Sequence, residues 1–179
     1  MKKVLVLPGW MTSLKFYAGG SNNFILCFGT IPREARNADY VIGVSIGALA
    51  VLKEMNGLRG KIILINPPLP QRNLFVWFFQ WVRYIVGGLF VERQKFTLNP
   101  LKWLVEIIRA IKLLGMDFSE TLHAFPKERL TIIKSRDDTF FCDAKALAFL
   151  HSLHITVFEI EGGHNWNEHT EAEMDRLTH

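Results

Sequence analysis

The 179-residue sequence has little cysteine, no extended run of basic residues and no spaced set of metal ligands. Two cysteines, Cys27 and Cys142, do not provide a disulfide framework. Lysine and arginine (21) exceed aspartate and glutamate (17) by four, but without a basic run this excess does not indicate nucleic-acid binding. No histidine and carboxylate spacing is typical of a metal site, and no Gly-x-Gly-x-x-Gly segment opens a helix. We therefore expect no metal, no cofactor and no nucleic-acid partner.

The sequence also lacks an apolar segment long enough for a secretion signal. Lys2 and Lys3 precede only the short apolar stretch Val4–Leu7. The length is typical of one domain that can bury a sizeable core. We therefore expect residues 1–179 to form a single cytoplasmic domain.

The most informative segment is the pentapeptide at positions 43–47, Gly-Val-Ser-Ile-Gly. The apolar run Tyr40–Ile42 before it predicts a strand, and Ala48–Leu52 after it predicts a helix. A serine on such a strand-turn-helix junction exposes its hydroxyl at the carboxyl edge of a sheet, and glycines suit the close packing there. Ser45 is therefore a candidate nucleophile.

Two later strand candidates are followed by acidic residues and by a histidine. Leu130–Lys134 is rich in β-branched residues, and Asp137 and Asp138 follow it closely. Ile155–Ile160 is followed by Gly-Gly and then His164. These loops supply a candidate base, together with two candidate acids that the strand pattern alone does not distinguish.

The order Ser, Asp, His after successive strands resembles the α/β-hydrolase family. A first strand candidate, Lys3–Leu7, leads into Pro8-Gly9-Trp10, which is similar to the family's His-Gly-X oxyanion loop with proline in place of histidine. This loop most resembles that of small serine carboxylesterases. The resemblance implies that the chain is a serine hydrolase.

The resemblance also implies a three-layer α/β fold, with helices on both faces of a parallel sheet of about six strands. Phe24–Phe28 and Lys61–Ile65 supply the two strands not yet mentioned. The oxyanion-loop strand starts at Lys3, so we expect the two strands that usually open the family's sheet to be missing.

Roles for the candidate residues follow from the resemblance. Ser45 would be the nucleophile and His164 the base that takes its proton. Aligning the loop after Leu130–Lys134 with the family's Gly-x-x-Asp pattern places the acid at Asp138 and makes Asp137 its neighbour.

The resemblance further implies an oxyanion hole formed by two backbone amides. One would belong to Ile46, at the start of the helix that follows the nucleophile, and the other to Trp10.

The segment 69–128 is longer than a simple crossover requires. It lies between the strand candidates Lys61–Ile65 and Leu130–Lys134. Pro100–Leu114 predicts an amphipathic helix. Leu74–Val86 is apolar and aromatic nearly all round, which leaves three interpretations: a membrane span, a buried helix over the sheet edge, or a cap over the site. We favour a helical cap, because the resembled family inserts its cap after this strand.

The role of the aromatic residues in such a cap depends on the face on which they lie. We expect Trp77, Phe78 and Trp81 to include side chains that line an acyl pocket on the inner face. Aromatic residues on the outer face would contact a membrane surface or a second subunit.

The expected function is cleavage of carboxylic ester or thioester bonds of small to medium apolar acyl substrates, through an acyl-enzyme on Ser45. A small-molecule ester or thioester would be the partner. The alternative is a hydrolase-like fold without turnover that serves as a binding or interaction module.

Overall fold

The structure, a computed structural model, describes residues 2–9, 31, 33–88 and 100–178. These residues contain a sheet of five strands in the order β1-β2-β3-β4-β5. Every adjacent pair is parallel. The strands are β1 Val4–Leu7, β2 Tyr40–Val44, β3 Lys61–Ile65, β4 Leu130–Ser135 and β5 Val157–Ile160. The predicted parallel α/β sheet is therefore confirmed, while the strand predicted at Phe24–Phe28 lies outside the described residues.

Six α-helices accompany the sheet in the described part of the chain. They are α1 Ile46–Glu54, α2 Leu74–Arg83, α3 Pro100–Leu114, α4 Ser119–Ala124, α5 Ala144–Ser152 and α6 Glu168–Thr178. A π-helical turn, Tyr84–Gly88, continues α2, and short 3-10 segments cover Arg33–Asn37, Met55–Gly57 and Lys127–Arg129.

The central strands are apolar on both faces because helices cover both faces. Alternate side chains of a strand point to opposite sides. In β3, Ile62 and Leu64 belong to one buried cluster, whereas Ile63 and Ile65 belong to a second. The first cluster continues into α1, α3, α4 and α5, and the second into α6. This arrangement of one sheet between two layers of helices explains why the strands are continuous apolar runs rather than alternating apolar and polar residues.

The long segment 69–128 divides into two parts with different packing. Ala110 and Leu113 of α3, Leu122 of α4, and the flanking Phe118 and Phe125 join the main core. By contrast, Trp77 is the only buried residue of α2. The later part of the segment therefore packs over the sheet as a crossover, and α2 is the part that remains available to cover a site.

None of the helices in the described part of the chain is long and apolar enough to cross a membrane. In α2, Gln80 and Arg83 interrupt the apolar sequence, and the π-helical turn follows directly.

Candidate active site

Ser45 occupies a strained turn between β2 and α1. Its φ is 51° and its ψ is −120°, a conformation that residues other than glycine rarely adopt. The backbone N–H of Ser45 donates to the carbonyl of Ile65 at 2.8 Å, and the N–H of Ala48 donates to the carbonyl of Ser45 at 2.9 Å. These bonds to the neighbouring strand and to the first turn of α1 hold the serine in this conformation.

The two glycines of the pentapeptide are required by close backbone packing. A Cβ atom on Gly43 would lie 2.6 Å from the Cα of Ala48, and one on Gly47 would lie 2.5 Å from the carbonyl oxygen of Pro8. Any side chain at either position would displace the backbone. Gly47 thus brings the start of α1 against the loop that follows β1, which is the loop predicted to supply an oxyanion donor.

Ser45, His164 and Asp138 form one hydrogen-bonded chain. His164 Nε2 lies 2.8 Å from Ser45 Oγ, and His164 Nδ1 lies 2.6 Å from Asp138 Oδ2. All three residues are buried, with exposed fractions of 8%, 5% and 1% for Ser45, His164 and Asp138. The structure thus brings together residues that are 119 and 26 positions apart in sequence.

Asp138 is an acceptor held by three backbone amides as well as by the histidine. Its carboxylate accepts from Phe140 and Phe141 at 3.1 Å each and from Cys142 at 3.2 Å. Burial alone would raise the pKa of this carboxyl, but attraction to His164 and the hydrogen bonds from His164, Phe141 and Phe140 outweigh burial and lower the pKa. Asp138 is therefore ionised at neutral pH.

The ionised carboxylate determines the proton positions in the chain. Because an ionised carboxylate only accepts, Nδ1 of His164 donates to it, and whenever the ring carries one proton, Nε2 accepts from the Ser45 hydroxyl. Asp137 takes no part: it is exposed, and its backbone N–H donates to the carbonyl of Gly162 at 3.1 Å. Of the two acids that the strand pattern left open, the geometry favours Asp138, which is also the one that the family resemblance implies.

Aromatic rings enclose the imidazole of His164. The centroid of Phe141 is 4.6 Å from that of His164, and Tyr84 meets His164 edge to face at 5.6 Å. The hydroxyl of Tyr84 accepts from Asn165 Nδ2 at 2.6 Å. The π-helical turn after α2 is thereby joined to the loop of the base, which limits the access of water to the ring.

The start of segment 69–128, the insertion between β3 and β4, is anchored to the loop that follows β4 and carries Asp138, the loop of the acid. Arg72 donates two hydrogen bonds to Asp143, at 2.8 and 2.5 Å, and its guanidinium lies 4.9 Å from the centroid of Trp77. Asp143 also caps α5 by accepting from the amides of Lys145 and Ala146. Burial alone would raise the pKa of Asp143, but the bond from Arg72 and the helix amides outweigh it and lower the pKa.

The three aromatic residues predicted to line a pocket have different environments. Trp77 is 3% exposed, and its ring stacks on Phe141 with centroids 6.5 Å apart. Trp81 is half-buried. Phe78 is 57% exposed and meets Phe79 at 6.1 Å. Trp77 therefore lies on the side of α2 that faces His164, and Phe78 on the outer side.

Asn66 is a buried polar residue that the sequence analysis did not single out. Its Nδ2 donates to the carbonyl oxygen of His164 at 2.8 Å and to Ser135 Oγ at 3.0 Å, and its Oδ1 accepts from the N–H of Ser135 at 2.7 Å. Its φ of 48° is a conformation that asparagine tolerates. A polar residue directly at the end of a buried strand, before Pro-Pro, was the sequence feature that could have identified it.

Only one of the two predicted oxyanion donors lies in the described part of the chain. Ile46 is the first residue of α1, where backbone N–H groups lack partners within the helix. Trp10 lies outside the described residues. Across residues 2–9, 31, 33–88 and 100–178, no cluster of three or more His, Cys, Asp or Glu could hold a metal ion.

We predict that Asn66→Asp loosens the loop of the base. The carboxylate keeps an acceptor for the Ser135 N–H but cannot donate to the carbonyl of His164, so two acceptors would face each other. Since an unsatisfied buried group costs about 1–3 kcal/mol, the free energy of unfolding should fall by about that amount. The rate at which a fluorophosphonate labels Ser45 should fall as well.

Ser135→Ala is the matched control, because it removes one acceptor of the same amide and leaves the bond to His164 intact. It should label faster than Asn66→Asp when both are measured by chemical denaturation and by labelling kinetics. Equal labelling of both variants and the wild type would show that Asn66 does not position His164.

Comparisons with known proteins find similarity in structure only. No family model matches the sequence, and no curated protein matches it. Solved structures do match. MGS-M2, an α/β hydrolase enzyme from a Medee basin deep-sea metagenome library, has a TM-score of 0.61 at 15% identity, with 99% of this chain and 88% of that one covered.

Two further structures agree over nearly the whole chain. One comes from a study of carboxylesterases from the ammonia-oxidizing thaumarchaeon Nitrososphaera gargenis. It has a TM-score of 0.59 at 13% identity, with 98% of this chain and 90% of that one covered. The enol-lactonase from Burkholderia xenovorans LB400 provides the other, with a TM-score of 0.58, 15% identity and coverage of 100% and 92%. Identities this low establish shared architecture alone. The chain has the α/β-hydrolase fold.

Proposed function

We propose that this protein is a serine hydrolase that cleaves carboxylic ester or thioester bonds of small to medium apolar acyl substrates. The observation that supports this most is the buried hydrogen-bonded chain from Ser45 through His164 to Asp138. It starts on a strained turn at the carboxyl edge of a parallel sheet, where ligands bind in folds of this class. The fold shared with carboxylesterase and lactonase structures is consistent with this proposal.

In the first half of the reaction, His164 Nε2 takes the proton of Ser45 as Oγ attacks the carbonyl carbon of the substrate. The tetrahedral intermediate collapses when the imidazolium donates that proton to the leaving alcohol or thiol. Asp138 stays ionised throughout and stabilises the imidazolium, which its buried position beside Nδ1 allows.

In the second half, water replaces the leaving group. His164 takes a proton from water, the resulting hydroxide attacks the acyl carbon, and collapse releases the acid and returns the proton to Ser45 Oγ. The backbone amides of Ile46 and Trp10 would donate to the oxyanion in both halves.

The acyl group would lie beside the aromatic side chains at which α2 meets the loop of the acid. Trp77 and Trp81 are the proposed lining residues, whereas the exposure of Phe78 argues against a lining role for it. Two buried N–H groups there, Nε1 of Trp77 and Nε of Arg72, have no acceptor among the described residues.

Ser45→Ala should abolish hydrolysis of short p-nitrophenyl esters and labelling by a fluorophosphonate, because no other residue in the proposal supplies a nucleophile. Peptide mass mapping of the labelled wild type should locate the adduct on Ser45. Ser152→Ala is the control, since Ser152 is an exposed serine at the end of α5 and should keep full activity.

A folded wild type that neither turns over esters nor becomes labelled at Ser45 would contradict the proposal. Equal ester turnover by wild type and Ser45→Ala would do so as well. Either result would favour a binding or interaction module built on the same fold.

Asp138→Asn should lower turnover by about 10⁴-fold, because the neutral amide favours the wrong tautomer of His164. Asp137→Asn should have little effect, since the exposed Asp137 side chain does not reach the imidazole. Steady-state kinetics on one ester measures both variants. The reverse ranking would assign the acid to Asp137.

Trp77→Leu should shift the preferred acyl chain to greater length. The smaller side chain opens the space beside Phe141, and each further buried methylene contributes about 0.8 kcal/mol. Rates on a series of p-nitrophenyl esters measure the profile, with labelling of Ser45 as the check on folding. Phe78→Ala is the control, and a shift of the same size in this variant would contradict the assignment of the two faces.

A further inference from the structure

The outer side of the insertion exposes large apolar side chains in an unusual concentration. Phe75, Phe79 and Val86 are 73%, 65% and 68% exposed. The neighbouring helix α3 adds Ile108 and Ile111. We call this surface, formed by α2, the π-helical turn and α3, the apolar face. Large exposed apolar side chains concentrated on one part of a domain are typical of sites that contact a partner or a membrane.

Folding of the chain does not explain the apolar face. On its other side, α2 already buries Trp77 against Arg72 and Phe141. Phe75 and Phe79 bury little of their surface within the chain, so polar residues at these positions would allow the same fold. An external apolar surface that covers them would account for their side chains.

The charges around the apolar face indicate which kind of partner covers it. The exposed charged side chains described on α2 and α3 are Arg83, Arg109 and Lys112, all positive, whereas the one acidic residue of the two helices, Glu106, is buried. A second copy of the chain would bring like charges together across such an interface. An anionic lipid surface would attract them, and apolar side chains bordered by basic ones are typical of helices that lie in a membrane interface.

We propose that the apolar face docks on anionic membrane surfaces and that the substrate is an acyl lipid taken from that surface. The part that concerns the substrate rests on the proposed function. Phe75 and Phe79 enter the interface, while Trp77, on the opposite side of the same helix, lies toward His164. An acyl chain that leaves the bilayer beside α2 has only the thickness of that helix to pass before it reaches the site.

Co-sedimentation with vesicles tests the docking. The full chain is mixed with vesicles of phosphatidylglycerol and phosphatidylcholine, or of phosphatidylcholine alone, at low and high ionic strength. We expect binding to the anionic vesicles that weakens with salt. The double variant Phe75→Ser, Phe79→Ser should lose affinity by about tenfold or more, because it removes the two most exposed aromatic side chains of α2.

Phe158→Ser is the matched control. Phe158 is an exposed phenylalanine (46%) on β5, outside the insertion, and its variant should bind vesicles as the wild type does. Circular dichroism and thermal unfolding check that each variant is folded. Because all three phenylalanines are exposed, each variant should unfold as the wild type does. A change in vesicle binding is ascribed to docking where the unfolding transitions match.

A second pair of measurements separates docking from catalysis. Ser45→Ala should bind anionic vesicles as tightly as the wild type, so docking can succeed even if the proposed hydrolase activity fails. The double variant should hydrolyse a soluble short-chain ester at the wild-type rate, but release less fatty acid from a lipid ester presented in anionic vesicles.

Four outcomes would overturn the proposal. The wild type would fail to bind anionic vesicles, or the double variant would bind them as well as the wild type. In the third, the wild type would be a dimer in light scattering that the double variant converts to a monomer, which would assign the apolar face to a second copy. In the fourth, the wild type would bind neutral and anionic vesicles equally, which would overturn docking on anionic surfaces through Arg83, Arg109 and Lys112.

Discussion

Parallel pairing of β2, β3, β4 and β5 is the constraint on which the candidate site depends. In a parallel sheet all strands end at the same edge, so residues far apart in sequence become neighbours when each follows its own strand. Ser45 follows β2, Asn66 follows β3, Asp138 lies beyond β4 and His164 beyond β5. No local feature of the chain could bring these four side chains together. The sheet supplies the proximity, and the loops then adjust the distances.

The hydrogen bonds at this edge make one connected network. Asn66 joins the ends of β3 and β4 to the backbone of His164, and Asp138 joins the histidine ring to the amides that precede α5. Arg72 extends the network to the start of α2 through Asp143. Because buried polar groups are costly when unpaired, the loss of one member leaves its partners without a hydrogen bond and destabilises the others. The insertion is thus part of the site's support rather than an appendage to it.

Helix α2 combines two apolar surfaces with different consequences. The side with Trp77 packs on Phe141, which in turn contacts His164, and the side with Phe75 and Phe79 remains exposed. A helix that is apolar all round is ordinarily buried all round. In the described part of the chain, one side of α2 packs against protein near the site and the other side is exposed. A partner that covers the exposed side would therefore lie one helix away from the site.

The sequence by itself determined the parts that local physics controls. Runs of β-branched residues predicted the strands, and the glycines at 43 and 47 predicted the turn, because a Cβ atom cannot fit at either position. Tertiary structure decided the rest. Asn66 acts through partners 69 and 98 residues away, which no local pattern reveals. The strand pattern did not separate Asp138 from Asp137, and only the family resemblance did, because the course of one loop decides which carboxylate meets the imidazole. The division of 69–128 depended on which apolar side chains reached the core, since hydrophobicity alone does not specify direction.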